Sequence, residues 1–220
     1  MMMNDFDSIK DADVILVIDS NTTEINSDVE SFIRERISDS PDNASLILCG
    51  PRRIELASNA AIYMQQKTGT DAALINCMIN VIIKEELHNE EFIENHTENF
   101  DELIKSVYKY TPQAAEQITG VPREQIIDAA WTYANGKNSA IFYIMETIQH
   151  TDGACDLRAL SNLALLRGML KGLFRTCPTL DHPGNPIIHV EEFALRDGKA
   201  SFIPAEWSYS QATAEIQNCR

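Results

Sequence analysis

Short, unbroken apolar runs alternate with stretches of helical periodicity along the first part of the chain. Val14 to Ile18 is apolar at every position, which is typical of a strand buried on both faces of a parallel sheet. Ser27 to Ile37 carries apolar residues at spacings of three and four, which predicts an amphipathic helix. Ser45 to Cys49 repeats the strand pattern. These segments predict a βαβ unit with a right-handed crossover.

The middle of the chain is predicted to be mainly helical. After the second strand we expect a short helix at Ile54–Ser58, a third strand at Ala61–Met64 and a long helix from Asp71 to Glu86, with Leu74, Met78, Val81 and Ile82 on its buried face. A helical insert over about 89–136 follows, with helices from Asn89, at Phe100–Tyr110, at Gln113–Ile118 and at Arg123–Asn135. Ser139–Met145 then returns as a buried strand and Leu157–Gly168 as a helix.

The sequence beyond Gly172 is rich in proline and turn residues. Ile187–Val190 and Ala200–Ile203 are predicted strands, and Asp197-Gly198 between them is a strong hairpin signal. We therefore expect an α/β fold: a Rossmann-like parallel sheet with helices on both faces, a helical insert and a C-terminal β-hairpin. The predicted domains are residues 1–172, which include the insert, and a Pro-rich segment with hairpin and tail at 173–220.

The charge balance excludes some partners. The 220-residue chain has a formal net charge of −15, which repels the phosphate backbone of nucleic acids and anionic membrane surfaces. Its five cysteines are scattered without a CxxC pair, and no apolar run approaches the roughly 20 residues of a membrane span. We expect a cytoplasmic protein without nucleic-acid or membrane partners.

Polar and cationic residues follow the predicted strands, where open parallel sheets bind ligands. Four segments end at that edge. They carry neutral hydrogen-bonding side chains, cations suited to phosphate and a glycine that lets a ligand approach the backbone, namely Ser20, Asn21, Thr22, Thr23, Arg52, Arg53, Lys67 and Gly69. Asp71 also lies there, and its carboxylate could accept two N–H groups of guanine. A nucleotide site is the natural hypothesis. Neither GxGxxG nor GxxxxGK[ST] occurs, so the pattern leaves the ligand open.

Several of these residues have a structural alternative. Asp71 is first a helix N-cap candidate and second a guanine ligand, and the two roles are compatible. Arg52 and Arg53 are also explained as members of surface ion pairs, although the strand-end position favours a ligand role for Arg52. A lone loop histidine such as His150 is usually structural, and Cys177 beside Pro178 is best explained as a buried thiol.

Six segments, taken in order, resemble one protein family. They are VIDSNTTE, GPRRIELA, QKTGTDAALIN, YTPQAAEQITGVP, IQHTDG and RALSNLALLRG, between about Asp11 and Gly168. They resemble the catalytic (alpha) subunit of molybdopterin-dependent formate dehydrogenases, in the dimethyl sulfoxide reductase superfamily. The tail segments CPTLDHPGNPIIH and FALRDGKASFIPAEW are similar to a much later part of that subunit. The resemblance thus indicates a truncated and internally deleted relative, without the iron–sulfur, catalytic Cys or selenocysteine, and cap segments.

The resemblance implies a molybdopterin guanine dinucleotide cofactor, with molybdenum or tungsten, and no Fe–S cluster in this chain. The implied cofactor-binding residues are Ser20, Asn21, Thr22, Glu24, Pro51, Arg52, Gly69, Asp71, Met145, Glu146 and Gln149, with no catalytic or metal-ligating residue. The intact family oxidises formate to CO2 in a two-electron reaction, and we expect this chain to be inactive alone. It departs from the family at Asp19, at Gly50 and at Ile144-Met145-Glu146, where smaller or differently charged residues are usual.

Two other functions remain open at this point. A non-catalytic accessory module would dock on an oxidoreductase subunit, and a repurposed site would bind a free nucleotide such as GTP. An oxidoreductase partner subunit or a homo-oligomer is the expected assembly, because surfaces that other domains normally cover would be exposed.

Overall fold

The computed structural model describes residues 12–18, 27–39, 44–144, 153–168, 173–177, 187–190 and 199–205. Its strands are β1 (Val14–Ile18), β2 (Ser45–Cys49), β3 (Ile62–Met64), β4 (Thr97–Glu98), β5 (Ser139–Ile144), β6 (Leu173–Cys177), β7 (Ile187–Val190) and β8 (Ala200–Ser201). Its helices are α1 (Ser27–Asp39), α2 (Asp71–Lys84), α3 (Glu90–His96), α4 (Phe100–Val107), α5 (Pro112–Thr119), α6 (Arg123–Asn135) and α7 (Gly153–Leu166). The predicted short helix after β2 is a 3-10 turn at Glu55–Ser58.

The main sheet has the strand order β3-β2-β1-β5-β6-β7. Every neighbouring pair is parallel except β6 and β7. Ile18 lies opposite both Cys49 of β2 and Tyr143 of β5, so these three strands end at one edge. The chain order reverses between β1 and β5, as in doubly wound folds, where ligands bind beyond the carboxyl ends of the strands at this switch point. The predicted α/β class is confirmed.

Alternate residues of the strands pack on opposite faces of the sheet. Ile15 and Val17 of β1 pack with α1 and the 3-10 turn, through residues such as Ile33 and Leu56. Leu16 and its neighbours on the other face pack into a larger core that contains α2. This alternation explains why a strand buried on both sides is apolar at every position. The prediction of helices on both faces is also confirmed.

Helix α2 is buried around its whole circumference, from Asp71 to Ile82. The sequence predicted one buried face, formed by Leu74, Met78, Val81 and Ile82. That expectation is wrong, since α4, α5, α6 and α7 all pack against α2 and cover its outer side. Asn80 has a partner inside the protein for its amide nitrogen: Nδ2 donates to the carbonyl of Val107 at 2.9 Å. None of the described helices is both long and apolar enough to cross a membrane.

Side chains cap the start of two insert helices, and a glycine follows the end of a third. Asn89 accepts a hydrogen bond from the Phe92 N–H at 3.0 Å and begins α3, as predicted. Thr111 caps α5 through the Ala114 N–H. Gly136 ends α6 at its predicted position.

The predicted pairing of the two C-terminal strands is wrong. β7 pairs antiparallel with β6, a strand that the sequence did not predict, and β8 pairs parallel with β4 of the insert. Tertiary contacts explain why β8 pairs with β4, because Phe202, next to β8, is buried in the larger core. Asn162 of α7 also binds both backbone groups of Ile203, donating to its carbonyl at 2.7 Å and accepting from its N–H at 3.0 Å. The Asp197-Gly198 turn lies outside the described residues. β6 and β7 extend the main sheet, and a domain boundary at Gly172 stays a prediction.

A tight turn joins α6 to β5 and fixes the central strands. The Asp13 carboxylate accepts hydrogen bonds from the N–H groups of Lys137, at 2.8 Å, and Asn138, at 3.0 Å. Gly136 precedes this turn, and a Cβ at Gly136 would lie 2.8 Å from Val14 Cγ2. The β-branched Val14 has little freedom to move aside, so this position requires glycine.

We predict that Gly136→Ala lowers the free energy of unfolding by about 1–3 kcal/mol, because the added methyl group overpacks β1. Urea unfolding followed by circular dichroism measures the change. Lys137→Ala is the matched control, since its exposed side chain is removed while its backbone N–H stays in place. A Gly136→Ala chain as stable as the control would contradict the tight approach.

Two thiols lie in the larger core. Burial raises the pKa of the Cys49 thiol well above its usual range, and the nearby Asp71 carboxylate adds to the effect. Burial raises the pKa of Cys77 to about 12, partly offset by Lys84. Both thiols therefore stay protonated in the folded chain. The corresponding stabilisation is present below the ordinary thiol pKa of about 8.5 and is lost as pH rises further, because only the unfolded chain then ionises.

We predict that iodoacetamide leaves Cys49 and Cys77 unmodified in the folded chain at pH 8, because the reagent needs an accessible thiolate. Peptide mass mapping before and after addition of denaturant checks this, with N-acetylcysteine in the same solution as a control for reagent activity. Rapid modification of Cys77 under native conditions would show that α2 is not packed as described.

Candidate functional site

Two segments meet at the carboxyl edge of the sheet. One follows β2 at Gly50–Arg53, and the other joins β3 to α2 over residues 65–70. The Gly50 N–H donates to the Met64 carbonyl at 3.1 Å. The Gln65 side chain donates to the Pro51 carbonyl at 3.0 Å. These bonds hold the two segments side by side, so the predicted site residues Pro51, Arg52, Gly69 and Asp71 follow neighbouring strands.

Three exposed cations lie on these segments: Arg52, Arg53 and Lys67. Within the described ranges none of them forms an ion pair; the Arg53 guanidinium instead lies 5.9 Å from the centre of the Tyr63 ring. The alternative explanation of Arg52 and Arg53 as members of surface ion pairs therefore has no support among the described residues. Cations that form no ion pair among the described residues and lie at a strand edge suit an anionic ligand.

The loop before α2 has the geometry of an anion site. Gly69 adopts a φ of +78°, and a Cβ there would have no atom within 4 Å. Thr70 is the N-cap residue, but its hydroxyl donates to the Lys67 carbonyl at 2.6 Å instead of capping the helix. The first turn of α2 thus carries backbone N–H groups that the Thr70 side chain does not use. Such groups, with the helix dipole, bind phosphate well.

Asp71 is the first residue of α2 rather than its N-cap, which corrects the first structural alternative. Its side chain is only 1% exposed, and Oδ1 accepts a hydrogen bond from Gln66 Nε2 at 2.6 Å. The Gln66 Oε1 atom is also buried and has no hydrogen-bond donor among the described residues. This burial favours a structural role at the helix start, where a carboxylate stabilises the dipole. A guanine contact by Asp71 stays a prediction.

The remaining predicted site residues lie outside the described part of the chain. They are Ser20, Asn21, Thr22, Glu24, Met145, Glu146 and Gln149. They follow β1 and β5, which are adjacent parallel strands on either side of the switch point. His150 and the side chain of Cys177 are likewise not described. In the described ranges no three His, Cys, Asp or Glu side chains are grouped to hold a metal ion.

Sequence reasoning missed two groups at this edge. Gln66 looked like an ordinary loop residue, and only its burial beside Asp71 distinguishes it. The second group is the C-terminal end of α5, where the Thr119 carbonyl accepts from the Lys67 N–H at 2.9 Å. No local pattern signals either contact, because both depend on tertiary packing.

Comparison with known proteins agrees with this architecture. Residues 1–181 match the protein family described as molybdopterin oxidoreductase. The chain is 45% identical over 168 residues to the F420-dependent formate dehydrogenase subunit alpha of Methanocaldococcus jannaschii, covering 76% of this chain and 24% of that protein. It is 36% identical over 169 residues to formate dehydrogenase H of Escherichia coli, covering 77% of this chain and 23% of that protein.

A solved structure supports the fold. Acetylene hydratase from Pelobacter acetylenicus superposes with a TM-score of 0.67 at 31% identity, over 72% of this chain and 22% of that chain. The chain spans about a quarter of the length of the curated relatives described above. With the family match over most of its residues, it belongs to the molybdopterin oxidoreductase family and is related to formate dehydrogenases of that family.

Proposed function

We propose that the carboxyl edge of the sheet binds the guanosine diphosphate half of a molybdopterin guanine dinucleotide, as part of a formate dehydrogenase-type oxidoreductase. The observation that supports this proposal most directly is the group of exposed cations beside the start of α2, namely Arg52, Arg53 and Lys67. The residues fit the ligand: the cations suit phosphate, and the open space at Gly69 admits a close approach to the backbone. The strongly acidic composition of the rest of the chain makes this local excess of cations informative.

Each residue has a distinct role in this proposal. Arg52 and Lys67 neutralise the diphosphate, Pro51 lies along the nucleotide, and Gly69 presents backbone to it. Asp71 would accept hydrogen bonds from guanine. The pterin side would be lined by the residues after β1 and β5, namely Ser20, Asn21, Thr22, Glu24, Met145, Glu146 and Gln149. The bound cofactor, with molybdenum or tungsten, would supply the two-electron chemistry that converts formate to CO2.

We further propose that formate oxidation needs protein segments beyond this chain. The aligned region accounts for about a quarter of a related alpha subunit. A partner subunit in the cytoplasm would then supply the catalytic metal ligand and the path for electrons, and the chain alone would be inactive. The alternative, an accessory module that docks on an oxidoreductase without holding cofactor, gives the opposite result in the following experiment.

We predict that the chain, purified from a host that makes the cofactor, releases about one guanine nucleotide per chain on acid treatment and contains molybdenum or tungsten. In Arg52→Ala/Lys67→Ala we expect the nucleotide and metal contents to fall at least about tenfold, because each lost charge-assisted hydrogen bond costs about 1.5–3 kcal/mol of binding free energy. Chromatography of the released nucleotide and elemental analysis of the metal measure the two contents.

Lys105→Ala/Lys137→Ala is the matched control, since it removes two exposed cations, one on α4 and one before β5, that do not follow β2 or β3. Its cofactor content should equal that of the unmodified chain. A cooperatively folded chain that carries neither nucleotide nor metal would rule out the cofactor proposal and favour the accessory module.

The role of Asp71 can be tested by base preference. If its carboxylate accepts from the N1 and N2 groups of guanine, GDP binds at least about tenfold more tightly than inosine diphosphate, which lacks the N2 amino group. Asp71→Asn should abolish that preference, because an amide cannot accept from both groups. Titration calorimetry with the two nucleotides measures it. Equal affinities for the unmodified chain would leave Asp71 with its structural role alone.

A further inference from the structure

The loop between β3 and α2 is fixed at Lys67 from both sides. The Lys67 N–H donates to the carbonyl of Thr119, the last residue of α5, at 2.9 Å. Its own carbonyl accepts from the Thr70 hydroxyl at 2.6 Å and the Thr70 N–H at 3.2 Å. The helical insert therefore holds one backbone group of Lys67, and the residue before α2 holds the other.

The anchor on the insert is itself rigid. Thr119 is fully buried, and its hydroxyl donates to the Ala115 carbonyl at 2.7 Å. The same hydroxyl oxygen accepts from the Val121 N–H at 3.1 Å. A carbonyl at this position has little freedom, so the hydrogen bond to Lys67 fixes the loop against a stable part of the fold.

Gly120 provides the surface on which the Lys67 side chain lies. Its φ is +79°, and a Cβ built there would be 3.4 Å from Lys67 Cε and 3.9 Å from Lys67 Cγ. The apolar stem of the lysine thus runs along the turn after α5. The residue as a whole is exposed, and its ammonium group forms no ion pair in the described part of the chain.

We infer that the Thr119–Gly120 turn of the insert is a positioning element of the nucleotide site, which holds the Lys67 ammonium ready for a phosphate of a nucleoside diphosphate. This inference rests on the proposed function. A free lysine side chain loses rotamer freedom when it binds, which weakens affinity. A stem that already lies on the protein loses less, so the same ion contact gives tighter binding.

The test is a double-mutant cycle on the full chain, with GDP as the probe. Asn replaces Gly120, because asparagine tolerates a positive φ while its side chain crowds the lysine stem. We expect Gly120→Asn to weaken GDP binding about threefold to tenfold when Lys67 is present, and not at all in Lys67→Ala. Gln117→Ala, an exposed change on α5, is the control and should bind GDP like the unmodified chain.

A merely structural role for Gly120 predicts the same loss of affinity with and without Lys67, and that result would overturn the inference. NMR relaxation of labelled lysine methylene groups is a second test, which measures side-chain mobility and needs no variant. Lys67 should be more ordered than the exposed Lys105 before GDP is added, and equal mobility would again overturn the inference. A chain that does not bind GDP at all would overturn the proposed function as well, whereas binding with additive effects would remove the inference alone.

Discussion

Helix α2 is buried on every side from Asp71 to Ile82. It is therefore stable only where protein covers its whole circumference. Residues of one sheet face share a core with it, and the insert helices α4, α5 and α6, together with α7, pack around it. Burial of apolar surface at about 25 cal/mol per Å² makes such a helix the centre of the larger core. Because the candidate site lies at the first turn of α2, the same packing that stabilises the protein also places the site. The insert is therefore part of the core and not an appendage.

How far the sequence predicts the fold depends on whether the deciding contact is local. β1 and β2 are predicted with correct ends, since burial on both faces leaves an unbroken apolar run in the sequence. The outer face of α2 is missed, because buried asparagines look like solvent-facing residues until the hydrogen bond from Asn80 to Val107 is seen. β8 is assigned to the wrong partner because the Asp-Gly turn signal is local, whereas Phe202 and Asn162 select β4 through tertiary contacts.

The candidate site shows the same division. Arg52 and Gly69 are predictable, since a residue that follows a buried strand lies at the carboxyl edge of a parallel sheet. The burial of Asp71 beside Gln66, and the contact between Lys67 and Thr119, bring together groups that no sequence motif links. Exposed charged residues are also unevenly distributed over the described part of the molecule. Most of the exposed residues from the end of α2 to the start of α4 are acidic, namely Glu85, Glu86, Glu90, Glu91, Glu94, Glu98, Asp101 and Glu102.

The pairing of β8 with β4 has a consequence for the order of folding. The hydrogen bond from Asn99 to Ser201 joins residues 102 positions apart. Closing so long a loop costs chain entropy before any contact is gained, and contacts of this kind form slowly. Segment 199–205 also contributes no strand to the six-stranded sheet. The sheet and the helices around α2 can thus form first. The C-terminal segment then packs last, against a surface that has already formed.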